Sequence, residues 1–192
     1  MTSLSLRQVN GYRDRKCFLH VPWSLYANDP AWVPPLLTQL RERISRRRNP
    51  YFEHADAAYF VAERDGRPVG RISALVCELV QKYQGAGTGH FGMFECEDRQ
   101  ETANALFDAG ESWLRERKMQ RVMGPVDFSI NDEIGMLVEG FERAPCVMMG
   151  HHLPYYLPLM EKAGYQKEID LYAYFKDVTL PFSDRIERMM GR

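Results

Sequence analysis

The sequence predicts a single α/β domain built on a mixed, mainly antiparallel sheet with helices on both faces. Two apolar runs flank the turn Arg64-Asp65-Gly66-Arg67, and an Asp-Gly pair between such runs is typical of a β-hairpin. Farther along, residues 89–125 show the pattern of a strand, a helix and a strand, a unit that joins parallel strands. An exclusively parallel sheet would need a crossover helix between every pair of strands, which the hairpin excludes.

The predicted elements follow one another in the order β-α-α-β-β-β-α-β-α-β. Alternation of apolar and polar residues predicts a first strand over Leu4 to Val9. A helix interrupted by Pro22 is expected over Tyr12 to Tyr26. A second helix is expected from Pro34-Pro35 to about Arg47, since proline is tolerated in a first helical turn.

The middle of the chain contains the hairpin and the long helix. The hairpin strands are expected over residues 57–63 and 68–80, followed by a polar, glycine-rich loop over 82–89. Strands over 91–96 and 121–126 are expected on either side of the long helix. That helix has one apolar face at helical spacing, formed by Ala103, Leu106, Gly110, Trp113 and Leu114.

The last third of the chain is expected to be irregular over residues 127–153. A short helix from Pro154 to Ala163 follows, and Gly164 closes it, as glycine commonly does after a helix. A long last strand is expected over Tyr165 to Val178, then a short amphipathic piece over 184–190. We expect one domain over residues 1–180 and a C-terminal helical tail over 181–192.

Composition excludes several classes of protein. The formal net charge of −1 argues against nonspecific nucleic-acid binding, which needs a basic field. We expect no membrane partner, since no apolar run is long enough to span a bilayer and the N-terminus lacks a signal-peptide core. The four cysteines have no Cys-x-x-Cys spacing, which predicts reduced thiols in a cytoplasmic protein.

The element order, with a helix that begins Gln100-x-x-Ala103-x-Ala105 after the fourth strand, resembles the GNAT superfamily of acyl-CoA N-acyltransferases. The family's motif at this point is Arg/Gln-x-x-Gly-x-Gly/Ala. The segment YLPLMEKAGY, from Tyr156 to Tyr165, resembles the family's later helix, and the similarity covers roughly residues 57–176. The runs GHFGMFECED, MGPVDFSIN, GMLVEGF and HHLPYY resemble a little-studied bacterial GNAT-like group whose longer members continue past the end of this chain.

The resemblance implies that the domain binds acetyl-CoA or another acyl-CoA as co-substrate. The pyrophosphate would lie on backbone amides at the start of the long helix, where the helix favours an anion by ~0.3–1 kcal/mol. Strands four and five would part, which frees the main chain of strand four to pair with the pantetheine amides. The implied cofactor-binding residues are Phe94, Cys96, Gln100, Glu101, Thr102, Ala103, Asn104 and Ala105.

The resemblance also implies catalytic roles. The family usually places a proton-donating tyrosine four residues before the glycine of the later helix, where this chain has Met160. Tyr156 lies one turn earlier on the same face and is the expected donor to the leaving thiolate. Glu95 is the expected general base, and no metal is expected. Further candidates for the base are Asp127, Asp132, Glu133, His151 and His152.

The segment after the fifth strand leaves the C-terminal end of that strand, where open α/β sheets bind ligands. Its polar side chains predict a pocket for a small-molecule amine or a peptide amine. The expected substrate-binding residues are Asp127, Ser129, Asn131 and Tyr155. A capped loop, whose polar side chains satisfy their own backbone, explains the same composition.

The leading functional hypothesis is the transfer of an acyl group from acyl-CoA to an amine that attacks the thioester directly. Ala103 and Met160 depart from the family pattern and favour the alternative, a degenerate domain without catalysis that serves as a CoA-binding or assembly module. Only fourteen residues follow Val178, too few for a helix and the family's usual seventh strand. The last strand would then expose an edge, which a homodimer partner could cover.

Overall fold

The computed structural model describes residues 3–177 and 179–191, and its centre is one five-stranded sheet in the order β1-β2-β3-β4-β5. The first four strands pair antiparallel, and β5 joins β4 in parallel. The mixed, mainly antiparallel sheet is therefore confirmed. The strands are β1 (Leu4–Gln8), β2 (Ala55–Arg64), β3 (Arg67–Cys77), β4 (Thr88–Cys96) and β5 (Arg121–Met123).

Helices cover both faces of the sheet. The helices are α1 (Gly11–Leu25), α2 (Leu37–Arg43), α3 (Glu78–Tyr83), α4 (Gln100–Glu116), α5 (Tyr156–Lys162) and α6 (Asp184–Met189). α1 and α2 pack on one face and α4 and α5 on the other, whereas α3 and α6 bury no residue. Alternation along β2 separates two cores, because Phe60 packs with α4 and α5 whereas its neighbour Val61 packs with α1 and α2. In the part of the chain that the structure describes, no helix is long and apolar enough to cross a membrane.

The turn between β2 and β3 confirms the predicted hairpin. Asp65 and Gly66 both have positive φ angles, 50° and 77°, as a tight hairpin turn requires. The predicted boundaries nearby are less accurate. The third strand ends at Cys77 and not at residue 80, since the next six residues form α3, and α2 ends at Arg43 and not at Arg47.

The predicted last strand is wrong. Residues 165–177 pair with no strand, and Val178 lies outside the described residues. A strand needs a neighbour to receive its hydrogen bonds, and β5 offers only three residues. Apolar side chains of this segment consequently face solvent, as Ile169 (72 % exposed) and Tyr174 (91 %) show. The edge on which the homodimer hypothesis depended is not formed, and the boundary at residue 180 stays a prediction.

A close crossing ends the pairing of β4 with β5. The two strands pair only from Thr88 to His90, and the segment after β5 then passes over β4 at Gly92. A Cβ atom at Gly92 would lie 2.3 Å from the carbonyl oxygen of Val126. The next residue, Met93, has a φ of 46° and forms a bulge that shifts the register against β3. Beyond the bulge, β4 and β5 separate.

We predict that Gly92→Ala lowers the free energy of unfolding by about 1–3 kcal/mol, because the added methyl group overlaps backbone and forces the crossing apart. The matched control is Gly110→Ala in α4, where a Cβ atom would meet Ile72 at an ordinary 3.7 Å. That control should stabilise the protein by about 0.5–1 kcal/mol, since alanine favours a helix. Urea unfolding measures the change in the free energy of unfolding for each variant. Equal changes in the two variants would contradict the close backbone approach at Gly92.

Candidate functional site

Beyond the crossing, β4 and the segment after β5 enclose a cavity of about 50 Å³. The main chains are joined by the hydrogen bond from Val126 N–H to the carbonyl oxygen of Phe91, at 2.8 Å, next to the crossing. The cavity lies where open α/β sheets bind ligands. Its titratable and charged lining residues come from three strands or loops and are Arg71, Glu95, Asp127, Glu133, His151 and His152.

The two predicted catalytic residues, Glu95 and Tyr156, contact each other, and Glu95 lines this cavity. The Tyr156 hydroxyl donates to Oε2 of Glu95 at 2.8 Å and accepts from the N–H of Cys96 at 3.2 Å. Tyr26, the residue that caps the C-terminal end of α1, places its own hydroxyl 2.7 Å from the same carboxylate oxygen. All three side chains are buried. The structure therefore joins one strand and two helices through a single carboxyl group.

A proline in α1 positions the positive charge beside Glu95. Pro22 has no N–H, so the carbonyl oxygen of Phe18 lacks its usual helical donor. Arg71 fills that position with Nη1 at 3.3 Å, and its Nη2 lies 3.4 Å from Oε1 of Glu95. The helix runs through Pro22 without ending. Pro22 thus removes one helical hydrogen bond without ending α1, and Arg71 replaces the missing donor.

The hydrogen bonds around Glu95 indicate whether its carboxyl group carries a proton. Burial raises the pKa of Glu95, and attraction to Arg71 opposes that rise. The Tyr26 hydroxyl has one proton but two acceptors, Glu95 and the carbonyl oxygen of His151 at 3.0 Å. A protonated Glu95 would donate to Tyr26, which would then donate to His151. Each of these polar groups then has a partner, so a proton on Glu95 suits the geometry.

The segment after β5 brings one of its predicted substrate-binding residues to the cavity. Asp127 accepts the N–H of Met93 at 2.6 Å, and burial together with Glu133 raises its pKa to about 6. Ser129 and Asn131 do not line the cavity. Ser129 instead donates to Asp132 at 2.8 Å and accepts from the N–H of Asn131. For these two residues the geometry matches the capped-loop alternative.

The start of α4 offers fewer free amides than the resemblance implies. Thr102 and Ala103 are fully buried, and both N–H groups donate to the carbonyl oxygen of Arg99 at 3.1 and 3.2 Å. Asn104 and Ala105 lie farther inside the helix, beyond its first four N–H groups. The N–H groups that precede the first intrahelical bond are those of Gln100 and Glu101.

The outer edge of β4 is covered near its end by two tyrosines. Tyr155, predicted to bind substrate, donates its hydroxyl to the carbonyl oxygen of Cys96 at 2.8 Å, and Tyr156 accepts the Cys96 N–H. Both main-chain groups of Cys96 are therefore engaged. Main-chain groups of alternate residues point to the same side of a strand, so those of Phe94 also face this edge. The Phe94 ring stacks on Phe107 in the core, 4.6 Å between centroids.

The sequence proposed His151 and His152 equally as candidates for the base, and the structure gives them different partners. Nε2 of His151 lies 2.8 Å from Oδ2 of Asp29, a residue 122 positions away, and no pattern in the sequence links them. His152 accepts the N–H of Leu137 at 3.1 Å, and burial lowers its pKa to about 4. Within residues 3–177 and 179–191, no group of three or more potential ligands could hold a metal ion.

We predict that Asp127→Asn changes stability in a pH-dependent way. The folded-state pKa is about 6 against the ordinary 3.8, so the folded state binds this proton more tightly and loses stability as pH rises through that window. The asparagine variant escapes this loss. Its free energy of unfolding relative to wild type should rise between about pH 4 and about pH 7, by at most about 3 kcal/mol. Urea unfolding at both pH values measures it, and a constant difference would contradict the prediction.

No family model matches the chain. Two curated proteins are similar over most of its length. The protein "Bacterial ceramide synthase" from Caulobacter vibrioides is 41 % identical, across 98 % of this chain and 50 % of that protein. "Protein YghO" from Escherichia coli is 40 % identical, across 93 % of this chain and 46 % of that protein. The chain thus spans about half the length of the curated relatives it matches.

Solved structures of similar fold are acetyltransferases. A predicted acetyltransferase from Clostridium acetobutylicum, solved with acetyl-CoA, superposes with a TM-score of 0.55 at 9 % identity, covering 90 % of this chain and 96 % of that one. An aminoglycoside acetyltransferase from a soil metagenomic sample, solved with sisomicin, gives 0.53 at 12 % identity, covering 92 % and 97 %. The chain therefore has the fold of the GNAT acyl-CoA N-acyltransferases, as the element order around α4 predicted.

Proposed function

We propose that this domain transfers an acyl group from acyl-CoA to an amine at the cavity between β4 and the segment after β5. The observation that carries the proposal is the contact of Tyr156 with the N–H of Cys96 and with Glu95, which lines that cavity. A proton donor, a buried carboxyl group and a strand edge meet there. The acetyltransferase fold supports acyl-CoA as the donor.

In the proposed reaction the amine nitrogen attacks the thioester carbonyl carbon, and the bond from carbon to sulfur breaks. The main chain of β4 near Glu95 would hold the carbonyl oxygen as negative charge develops on it. Tyr156 would donate its proton to the leaving thiolate. Glu95, 2.8 Å from that hydroxyl and with a pKa raised by burial, would return a proton to Tyr156 and regain one from the nitrogen of the new amide, so that the neutral amine and the thioester give the amide and the free CoA thiol. No step of this sequence needs a metal.

The cofactor would lie along the edge of β4 and the start of α4. The N–H groups of Gln100 and Glu101 would take the pyrophosphate, with the helix dipole behind them. The pantetheine amides would pair with the main chain of Phe94 and Cys96, where they would replace the tyrosine hydroxyls. Contacts of the pyrophosphate with the amides of Thr102, Ala103, Asn104 and Ala105 stay a prediction, because these amides are bonded or lie inside the helix.

The curated relatives suggest a class of acceptor to test first. Ceramide is the amide of a fatty acid with a long-chain amino alcohol, and one relative carries the name of a ceramide synthase. We therefore propose a fatty acyl-CoA and a long-chain amino alcohol as first candidates for donor and acceptor. Acetyl-CoA and short amines form the comparison set. The chain spans half of that relative, so the assay compares both sets of donors and acceptors.

A second candidate function is an assembly or CoA-binding module without turnover. It is favoured by the engaged main chain of Cys96 and by the closed amides of Thr102 and Ala103. In this alternative the tyrosine hydroxyls are permanent structural partners of β4. Stabilisation by acyl-CoA without amide formation would indicate a bound but inactive domain. No stabilisation by any acyl-CoA at millimolar concentration would indicate an assembly role, because a ligand of the native state must raise the melting temperature.

We predict that the chain releases CoA thiol and forms an amide when given acyl-CoA and a suitable amine. Tyr156→Phe should lower the turnover rate by about 100-fold or more, because general acid catalysis contributes at least that much. The matched control is Tyr165→Phe, which removes a hydroxyl bonded to Glu111 outside the cavity. Thiol release and mass spectrometry of the product measure both variants. Equal turnover in Tyr156→Phe and Tyr165→Phe would exclude Tyr156 as the donor.

We predict that Gln100→Pro weakens binding of acyl-CoA about fivefold or more, as loss of one charge-assisted hydrogen bond would. Proline is accommodated at the first helical position, and Arg99 before it is already extended, with φ −145° and ψ 121°. The helix should therefore persist while one N–H is lost.

The matched control is Gln100→Ala, which also loses the side-chain bond to the carbonyl oxygen of Leu159 but keeps the N–H. Calorimetric titration with CoA compares the two variants. If both bind equally well, the pyrophosphate does not contact this amide.

A further inference from the structure

One buried ring atom of His151, a residue that lines the cavity, has no partner. The His151 side chain is only 3 % exposed, and its Nδ1 atom makes no hydrogen bond to any residue that the structure describes. The other ring nitrogen, Nε2, is bonded to Asp29. A buried polar atom without a partner is costly, so a native structure that keeps one often reserves it for a ligand.

The Asp29 side chain fixes which nitrogen carries the proton. Asp29 accepts the N–H of Ala31 at 2.9 Å through one oxygen and contacts Nε2 of His151 through the other. Burial opposes ionisation of Asp29, but the hydrogen bonds from His151 and Ala31 outweigh it and lower its pKa. An ionised Asp29 needs a proton on Nε2. Nδ1 of the neutral ring is then a free lone pair.

The segment that carries Asp29 is rigidly packed. Tyr26 and Trp32, on either side of Asp29, stack with 5.2 Å between ring centroids and an angle of 10°. The Tyr26 hydroxyl also donates toward the carbonyl oxygen of His151. The carboxylate and the imidazole are therefore held from two sides. Such a second group that orients a base is the usual arrangement around a catalytic histidine.

The groups around the cavity suit a ligand that is rich in hydrogen-bond donors. Asp127, Glu133 and His151 line it with acceptor atoms, Glu133 is paired with Arg43 at 3.2 Å, and Arg71 is paired with Glu95 at 3.4 Å. A volume of about 50 Å³ admits a small head group but no ring, and the chain of a long-chain amino alcohol would remain outside it. A primary ammonium group meets both conditions, since it is compact and rich in donors.

We propose that His151, oriented by Asp29, is the base that takes the proton from a primary ammonium group of the acceptor, which rests on the proposed transferase function. Nδ1 removes one proton, and the lone pair of the amine forms the bond from nitrogen to carbon as the bond from carbon to sulfur breaks. The second nitrogen proton balances the leaving thiolate, through Tyr156. The products are the amide, free CoA thiol and a protonated His151, which returns its proton to solvent.

This assignment gives the site two pairs of residues with different tasks in proton transfer. Glu95 and Tyr156 serve the leaving group, while His151 and Asp29 serve the nucleophile. The Tyr26 hydroxyl lies between the two pairs, because it contacts Glu95 and the carbonyl oxygen of His151. Two groups with different tasks at one site are a recurrent arrangement in acid–base catalysis.

The experiment compares two nucleophiles in His151→Gln. With a primary amine, turnover should fall by about 100-fold to 1000-fold, as loss of a general base predicts. With hydroxylamine, which is already unprotonated at neutral pH, turnover should fall by less than about tenfold, because no proton must first be removed. Asp29→Asn should show the same selective loss, since Asp29 positions the ring. The reaction without protein is subtracted in each case.

The controls separate folding, cofactor binding and base function. His20→Gln changes a histidine of α1 outside the cavity and should leave both reactions unchanged. Melting curves with acyl-CoA should show equal stabilisation of wild type and His151→Gln. Parallel loss of both nucleophiles, or full amine transfer by His151→Gln, would overturn the role of His151 alone. Absence of transfer by the wild-type chain would overturn the transferase proposal and this inference with it.

Discussion

The crossing of the segment after β5 over β4 is the constraint on which the site depends. Gly92 and Gly124 allow two backbones to approach where side chains would collide, since a Cβ atom at Gly124 would lie 2.4 Å from the carbonyl oxygen of Phe91. The strained turn at Met93 follows, and Asp127 binds its N–H. Because the strand is turned at this point, its outer edge faces a cavity and not β5. The close backbone crossing thus separates β4 from the segment after β5 and leaves a cavity between them.

The buried charges around that opening cost stability, which argues for a functional reason to keep them. Glu95 and Asp127 are two buried carboxyl groups, of which only Glu95 contacts the guanidinium group of Arg71, and burial raises the pKa of both. Such groups are expensive to desolvate, and apolar residues of similar volume would pack at lower cost. Perturbed carboxyl groups that line a cavity are typical of sites that move protons. Their hydrogen bonds to Tyr26 and Met93 hold them in place without removing that capacity.

The sequence predicted elements whose signals are local and failed where distant residues decide. The hairpin at Asp65-Gly66 and the apolar face of α4 follow from turn chemistry and helical periodicity, and both are confirmed. The strand expected over residues 165–178 has suitable residues but no neighbour with which to pair over 165–177. Glu95 and Tyr156 were predicted as separate catalytic residues without a contact between them, and Asp29 and His151 are likewise joined only by the fold. No spacing rule reaches across 122 positions.

The acidic residues at the start of α4 bear on whether an anion can lie there. Glu97 and Glu101 would repel a phosphate, but both pair with the buried Arg64, at 2.9 and 3.0 Å. Arg64 also donates to Thr102, so its positive charge lies directly beneath the first turn. Arg64 neutralises one of these two carboxylates and leaves the cluster with a net charge of −1, so the helix dipole at the Gln100 amide acts against a reduced acidic field. Exchange of tyrosine hydroxyls for pantetheine amides along β4 is close to neutral, because each such hydrogen bond contributes only about 0.5–1.5 kcal/mol net. The affinity for an acyl-CoA then depends mainly on the first turn of α4, where the free amides and the buried guanidinium group act together.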